Sequence, residues 1–338
     1  MGEHKLARVG IITSGGDAPG MNAAIRAITR TAIHHGLGVV GFYRGYEGIL
    51  TKQYDVMDRR SVANILQRGG TILRSARCPE FRTEEGRQMA AENLRELAID
   101  VLFVIGGDGS LKGAQALTEV WDGQVIGLPG TIDNDLAGTD FTIGYFTALD
   151  TALESIDKVR DTADAFERIF LIEVMGRMAG FIALGVGLGC GAEKILVPEE
   201  PTEVRDLVAD IQDSRAAGKL SCIIVVAEGV VANGLRSIDG RITIHDSTVL
   251  AKELQRETGL DCRAVVRGHI QRGGSPAALD RILASTLGTY AVEAALDGHT
   301  GVMTGIRAEA LCLVPFAEAW SEHKPLDAYQ LKVQKLLV

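Results

Sequence analysis

A chain of 338 residues, 46% apolar and 23% charged, suits two α/β domains and is ordinary for a folded protein. A net charge of −9, with no stretch that gathers lysines or arginines into a basic face, argues against a nucleic-acid partner. Five scattered cysteines without a CxxC pair argue against disulfide or zinc frameworks, and no apolar run approaches membrane-spanning length, so a cytoplasmic protein with no membrane partner is expected.

The first half alternates strand and helix. Val9–Thr13 reads as a buried strand, followed by the glycine-rich turn Ser14-Gly-Gly-Asp-Ala-Pro-Gly20 and a helix over Met21–His35. Gly38–Phe42 is the next predicted strand, Thr83–Ala98 a polar-rich helix, and Val101–Ile105 a strand that ends in Gly106-Gly-Asp-Gly-Ser110. Val125–Leu128 is another strand, ending in Pro129-Gly-Thr-Ile-Asp-Asn-Asp135. Uninterrupted apolar strands between helices predict a parallel sheet covered on both faces.

The second half repeats the style. Phe146, Leu149, Leu153, Ile156 and Val159 recur at helical spacing and predict an amphipathic helix over Thr147–Arg160. Predicted strands Ile169–Val174, Cys222–Ala227 and Arg263–Val266 run into Met175-Gly-Arg177, Glu228-Gly and Gly268-His-Ile-Gln-Arg-Gly-Gly274. Helices are expected over Thr202–Ala217 and Thr248–Thr258, with Val230–Asp246 an excursion that suits a hairpin. Ligands of parallel α/β folds bind at the carboxyl ends of strands, so these polar clusters are expected to converge on one crevice.

The two glycine-rich turns, Ser14–Gly20 and Gly106–Ser110, suit phosphate, because backbone amides at a helix start attract an anion. Asp108 adds a carboxylate for Mg²⁺. Neither turn is a Walker A loop, and Gly107-x-Gly109-x-x-x-Gly113 is one residue too long for a dinucleotide fingerprint, which counts against a dehydrogenase. Asp133 and Asp135 follow a strand at alternate positions and suit base catalysis or metal binding, although the same segment also suits an Asx-turn with solvated side chains. Arg168, Arg177, Arg263 and Arg272 lie at or near strand ends and His269 in a glycine-flanked loop, a set of cations fit for phosphate oxygens. An acidic, glycine-rich half and a basic half together suggest a Mg²⁺-bound phosphate donor facing a phosphorylated acceptor.

From about Arg8 to about Gly305 the chain resembles the 6-phosphofructokinase family. The resemblance rests on five ordered motifs: Thr13-Ser-Gly-Gly-Asp-Ala-Pro-Gly-Met-Asn-Ala-Ala-Ile-Arg26, Ile105-Gly-Gly-Asp-Gly-Ser110, Gly127-Leu-Pro-Gly-Thr-Ile-Asp-Asn-Asp135, Glu173-Val-Met-Gly-Arg177 and Gly268-His-Ile-Gln-Arg-Gly-Gly-Ser-Pro276. It implies two Rossmann-like three-layer α/β/α domains with mainly parallel sheets and the active site in the cleft between them. The larger, nucleotide-binding domain is expected over 1–143 plus 270–318, and the smaller, sugar-phosphate-binding domain over 144–269 plus 319–338. The implied reaction is ATP-dependent phosphorylation of fructose 6-phosphate at its 1-hydroxyl.

The resemblance also implies roles. Asp133 is the base, with Thr131 and Arg177 beside the transferred phosphoryl group. Met175, Gly176 and Glu228 contact the sugar. Arg168, Arg263, His269 and Arg272 hold the sugar phosphate, with Arg168 and Arg263 coming from a neighbouring subunit, so a homotetramer or dimer with shared active sites is expected. Gly16, Arg77, Cys78, Gly107, Asp108, Gly109 and Ser110 line the ATP site, with Asp108 near Mg²⁺. Pyrophosphate-dependent members carry aspartate at the position of Gly109 and lysine at that of Gly130; glycine at both favours ATP, with pyrophosphate as the alternative donor. A possible effector site for ADP or phosphoenolpyruvate comprises Arg26, Arg30, Arg59, Arg160, Gly191, Glu193 and Lys219. Ala217 and Leu220 replace two lysines of well-regulated relatives, so weak or altered control is expected. A catalytically silent regulatory subunit is a further reading, opposed by the presence of Asp108, Asp133 and Arg177.

Overall fold

The computed structural model describes residues 6–321 and 324–337. In chain order it begins with β1 (Arg8–Thr13), α1 (Met21–His34), β2 (Gly38–Phe42), α2 (Tyr46–Leu50), β3 (Tyr54–Met57), α3 (Glu84–Glu96), β4 (Val101–Gly106), α4 (Asp108–Thr118) and β5 (Gln124–Pro129). There follow α5 (Tyr145–Phe166), β6 (Ile169–Val174), α6 (Phe181–Cys190), β7 (Lys194–Leu196), α7 (Val204–Ala216), β8 (Cys222–Ala227), α8 (Glu228–Asn233), β9 (Leu235–Arg236), β10 (Thr243–Ile244), α9 (Ser247–Thr258) and β11 (Cys262–Val266). The last elements are α10 (Ala278–Leu296), β12 (Val302–Arg307), β13 (Ala310–Pro315), α11 (Phe316–Ser321) and α12 (Ala328–Leu337).

The chain forms two compact units. One runs through Thr147 and resumes over Arg272–Lys324; the other comprises Ala148–Gln271 and the chain from Pro325 onward. The first unit holds a seven-stranded sheet in the order β13-β12-β5-β4-β1-β2-β3. Its five inner strands are parallel, and the two edge strands, β3 and β13, run antiparallel to their neighbours. Every residue of β4 is buried, as a strand covered on both faces requires. The edge strands β3 and β13 are half exposed instead.

The second unit holds a parallel sheet in the order β11-β6-β8-β7, with every residue of β8 buried. After β8 the excursion forms the short helix α8 and then the antiparallel pair β9–β10. The predicted helix Thr147–Arg160 extends further, over Tyr145–Phe166. Its fully buried residues are Ala148, Ala152, Ile156 and Ala163, so small side chains carry the packed face beyond the periodic stripe of large ones.

Candidate active site

In the first unit, β1, β4 and β5 are neighbouring parallel strands, so their following turns share one sheet edge. The Ser14 amide donates to the Ile105 carbonyl (3.0 Å) and the Gly130 amide to the Gly106 carbonyl (3.0 Å), which ties the three turns together. Glycine is needed at Gly106, where a Cβ would come within 2.6 Å of Ser110 Cβ and of the Ser14 carbonyl oxygen. A Cβ on Gly107 would lie 3.3 Å from Thr131 Cβ, so the Asp108 turn packs directly on the Thr131 segment.

Asp108 is the first residue of α4, where the free amides favour its negative charge. Its carboxylate pairs with Lys112 at 3.1 Å and stays about a third exposed (34%). The next residue, Gly109, faces open space: a Cβ there meets nothing within 4 Å among the described residues. Ser110 is buried, and its carbonyl accepts the Tyr46 hydroxyl at 2.7 Å.

Asp133 is 1% exposed, which excludes a solvated turn at that residue. Its amide donates to Thr131 Oγ1 at 3.2 Å. The segment is pinned on both sides. Thr142 Oγ1 donates to the Thr131 carbonyl (2.6 Å), and Asn134, with φ 54°, accepts the Thr142 amide (3.0 Å) and donates to the Asp140 carbonyl (3.3 Å). Lys324 Nζ donates to the same Asp140 carbonyl at 2.6 Å. Gly16 makes room for Arg272, whose guanidinium a Cβ would approach to 2.6 Å; Arg272 Nη1 donates to the Asp17 carbonyl (3.2 Å). Thr13 Oγ1 donates to the Arg74 carbonyl (2.8 Å) and Ser75 Oγ to the Gly15 carbonyl (2.5 Å), holding the chain just before Arg77 and Cys78 against the first turn. Arg77 is exposed; Cys78 is half-buried against the core, and burial pushes its thiol pKa up.

In the second unit, Met175, Gly176 and Arg177 follow β6. Their amides point at two side chains: Met175 N–H donates to Gln271 Oε1 (2.8 Å), while those of Gly176 and Arg177 donate to Glu228 Oε1 (3.1 and 2.6 Å). Arg177 has a left-handed φ of 53°, a conformation that costs on the order of 1–3 kcal/mol and needs such anchoring. His269 is exposed on the short turn Gly268–Arg272.

The arginines at the strand ends of the second unit divide between the two edges of its sheet. Arg168 precedes β6 and Arg263 is the second residue of β11, so both lie at the amino edge of their sheet, opposite Arg177 and Glu228. There they share Asp261: Arg168 Nε lies 2.6 Å from Oδ2 and Arg263 Nε 3.0 Å from Oδ1. The cause is chain direction, since a residue written before a parallel strand stands at its amino end.

Of the effector candidates, Arg160, Gly191, Glu193 and Lys219 come together in the second unit. Glu193 is buried and pairs with Lys219 (2.9 Å) and Arg160 (3.7 Å), while Arg160 Nη2 donates to the Cys190 (2.7 Å) and Gly191 (3.2 Å) carbonyls. Arg26, Arg30 and Arg59 belong to the first unit. Sequence reasoning passed over Gln271 and Asp280, both fully buried; Asp280 accepts the Gly144 (2.8 Å) and Thr147 (2.7 Å) amides and the Thr147 hydroxyl (2.6 Å). The only signal for either was a polar residue inside or beside a recognised motif.

The family model described as phosphofructokinase matches residues 8–295. The ATP-dependent 6-phosphofructokinase of Halothermothrix orenii is 48% identical over 332 residues, covering 98% of this chain and 99% of that protein. ATP-dependent 6-phosphofructokinase 1 of Thermus thermophilus is 50% identical over the same length, with coverage of 98% and 99%. Among solved structures, phosphofructokinase from Saccharomyces cerevisiae superposes with a TM-score of 0.82 at 35% identity, over 97% of this chain and 46% of the yeast chain.

Proposed function

The chain belongs to the phosphofructokinase family, and we propose that it transfers the γ-phosphoryl group of ATP to the 1-hydroxyl of fructose 6-phosphate, giving fructose 1,6-bisphosphate and ADP, the committed step of glycolysis. The observation that carries this reading is the buried Asp133 carboxylate on the same sheet edge as Asp108 and two glycine-rich turns. A base, a carboxylate for a metal ion and a phosphate cradle are the parts phosphoryl transfer to an alcohol requires.

In this reading the first unit is the nucleotide-binding one. Gly16, Arg77, Cys78 and Gly107–Ser110 line the ATP site, and Asp108, a partly exposed oxygen donor at a helix start, would hold Mg²⁺, which neutralises phosphate charge. Asp133 takes the proton from the 1-hydroxyl as that oxygen attacks the γ-phosphorus. Thr131 and the Arg177 guanidinium flank the moving group and stabilise its charge. In the sugar-phosphate-binding unit, Met175, Gly176 and Glu228 contact the sugar. Glu228 commits one oxygen to backbone amides, leaving the other for a hydroxyl. His269 and Arg272, with Arg168 and Arg263 of a neighbouring copy, hold the 6-phosphate. The placement of Arg168 and Arg263 at the far edge supports a shared site in a homotetramer or dimer. Free cysteines throughout support a cytoplasmic setting.

ATP is favoured over pyrophosphate by the open space at Gly109 and by the names of the relatives. A coupled assay with fructose 6-phosphate and either donor tests the reading. Turnover with ATP is expected, and Asp133→Ser should lower kcat by about 10²–10⁴-fold with little change in sugar-phosphate affinity. Undiminished turnover in that variant would remove Asp133 as the base.

A further inference from the structure

Gln271 closes the first stretch of the second unit, on the turn Gly268–Arg272, and its side chain is fully buried. It reaches the turn after β6 from one flank, while Glu228 reaches it from the other, because β11 and β8 are the two neighbours of β6. Between them they hold three successive backbone amides, those of Met175, Gly176 and Arg177. These amides point toward the two side chains because the turn is unusual: Gly176 has φ 141° and Arg177 φ 53°. Such a backbone persists only where its surroundings over-determine it.

The amide group of Gln271 is costly where it stands. Facing the Met175 N–H fixes Oε1 as acceptor, which turns Nε2 the other way, and Nε2 is buried without a hydrogen-bond partner among the described residues. A leucine of similar size would avoid that penalty but would leave the Met175 amide unanswered. Packing alone therefore does not account for a glutamine at this position; its acceptor does.

We infer that Gln271 is a positioning residue for phosphoryl transfer: by accepting the Met175 amide it fixes the turn from which Arg177 meets the transferred group. The inference rests on the role proposed for Arg177 in the phosphofructokinase reading.

The test compares wild type, Gln271→Leu and Gln271→Glu, the last keeping an acceptor at the same atom. Thermal midpoint, kcat, both KM values and hydrogen exchange across Met175–Arg177 are measured. In Gln271→Leu, kcat should fall roughly 10- to 100-fold with the KM for ATP nearly unchanged, and exchange at the turn should quicken by about an order of magnitude. The thermal midpoint should change little, since the buried Nε2 is removed while the buried Met175 N–H loses its acceptor. Gln271→Glu should recover slow exchange and most of the lost turnover. A purely packing role gives the reverse order: Leu active, Glu impaired. Wild-type kcat and exchange in Gln271→Leu, or a lowered midpoint with kcat unchanged, overturns the inference; if the Leu variant does not fold, failure of Gln271→Glu to keep slow exchange does so. An inactive wild type would count against the phosphofructokinase reading instead, and the exchange data would still report on Gln271.

Discussion

Arg168 and Arg177 flank the same strand from its two ends, Arg168 just before Ile169 and Arg177 three residues beyond Val174. Six residues at about 3.3 Å each separate the two ends by roughly 20 Å. A sugar phosphate seated at the Arg177 end is therefore out of reach of the same chain's Arg168. If a neighbouring copy supplies Arg168, two dead variants should rescue one another. Arg168→Ala and Asp133→Ser, each inactive alone, should regain about a quarter of wild-type turnover when co-assembled one to one, because half the shared pairs then hold one complete site. No recovery in verified mixed assemblies would show that each chain uses its own Arg168.

The direction of that strand is legible in the amino-acid sequence itself: Arg168 is written ahead of the apolar run and Arg177 after it. The inner parallel strands are equally legible, because burial on both faces leaves unbroken apolar runs such as Val101–Gly106. The edge strand Tyr54–Met57 is not, since it is short, half exposed and contains Asp55. Helix α6 (Phe181–Cys190) escapes for the opposite reason: it is apolar and rich in glycine, without a polar face to mark the helical period. At the site, the glycine turns and Asp133 can be read, whereas the hold of Gln271 and Glu228 on three amides cannot. That contact depends on backbone angles at Gly176 and Arg177 that no local pattern announces.

Gly109 bears on the choice of donor. It is the second residue of α4, and a Cβ there meets nothing within 4 Å among the described residues. An aspartate in a first helical turn is favourable, so Gly109→Asp should keep or slightly raise the thermal midpoint. In the proposed ATP site its carboxylate would face the nucleotide phosphates, and like charges brought together cost several kcal/mol, so ATP-dependent kcat/KM should drop by roughly 10²-fold or more. Unchanged ATP turnover in a folded Gly109→Asp would remove this residue from the ATP site. Gly130 offers no such test, since a Cβ there would press on Ile105 Cγ2 at 2.9 Å.

The cation cluster around Glu193 predicts weak control by ADP and phosphoenolpyruvate. Lys219 and Arg160 already pair with Glu193, and Arg160 also spends a nitrogen on two carbonyls. Leu220, beside Lys219, is 51% exposed and offers no charge. Each missing charged contact removes about 1.5–3 kcal/mol of phosphate binding. Either ligand at physiological concentration should shift the half-saturating fructose 6-phosphate concentration by less than about fivefold. A sigmoidal saturation curve that ADP strongly relieves would contradict this.

Lys324 supplies a pH dependence. Its ammonium donates to the Asp140 carbonyl that also receives Asn134, the residue between Asp133 and Asp135. Burial pushes its pKa down to about 8, against the opposing pull of Asp140 and Asp135. Below pH 8 the lysine is charged both folded and unfolded, and the folded state bears the full cost of burying the charge. Between about pH 8 and the usual lysine value of 10.5 the unfolded chain binds the extra proton, so the wild type gains stability as pH rises, by at most about 3 kcal/mol. Lys324→Met lacks this titration. Urea midpoints of the two proteins from pH 6.5 to 10 should keep a constant offset up to about pH 7.5, and the wild type should then gain on the variant at each higher step. Catalysis should move the opposite way. Loss of the ammonium above about pH 8 loosens the Asp140–Asn134 support of Asp133, so wild-type kcat should fall on that alkaline limb, while Lys324→Met is slow at every pH and shows no limb there. Parallel stability curves together with matching kcat profiles would mean that this lysine neither titrates near pH 8 nor braces the catalytic segment.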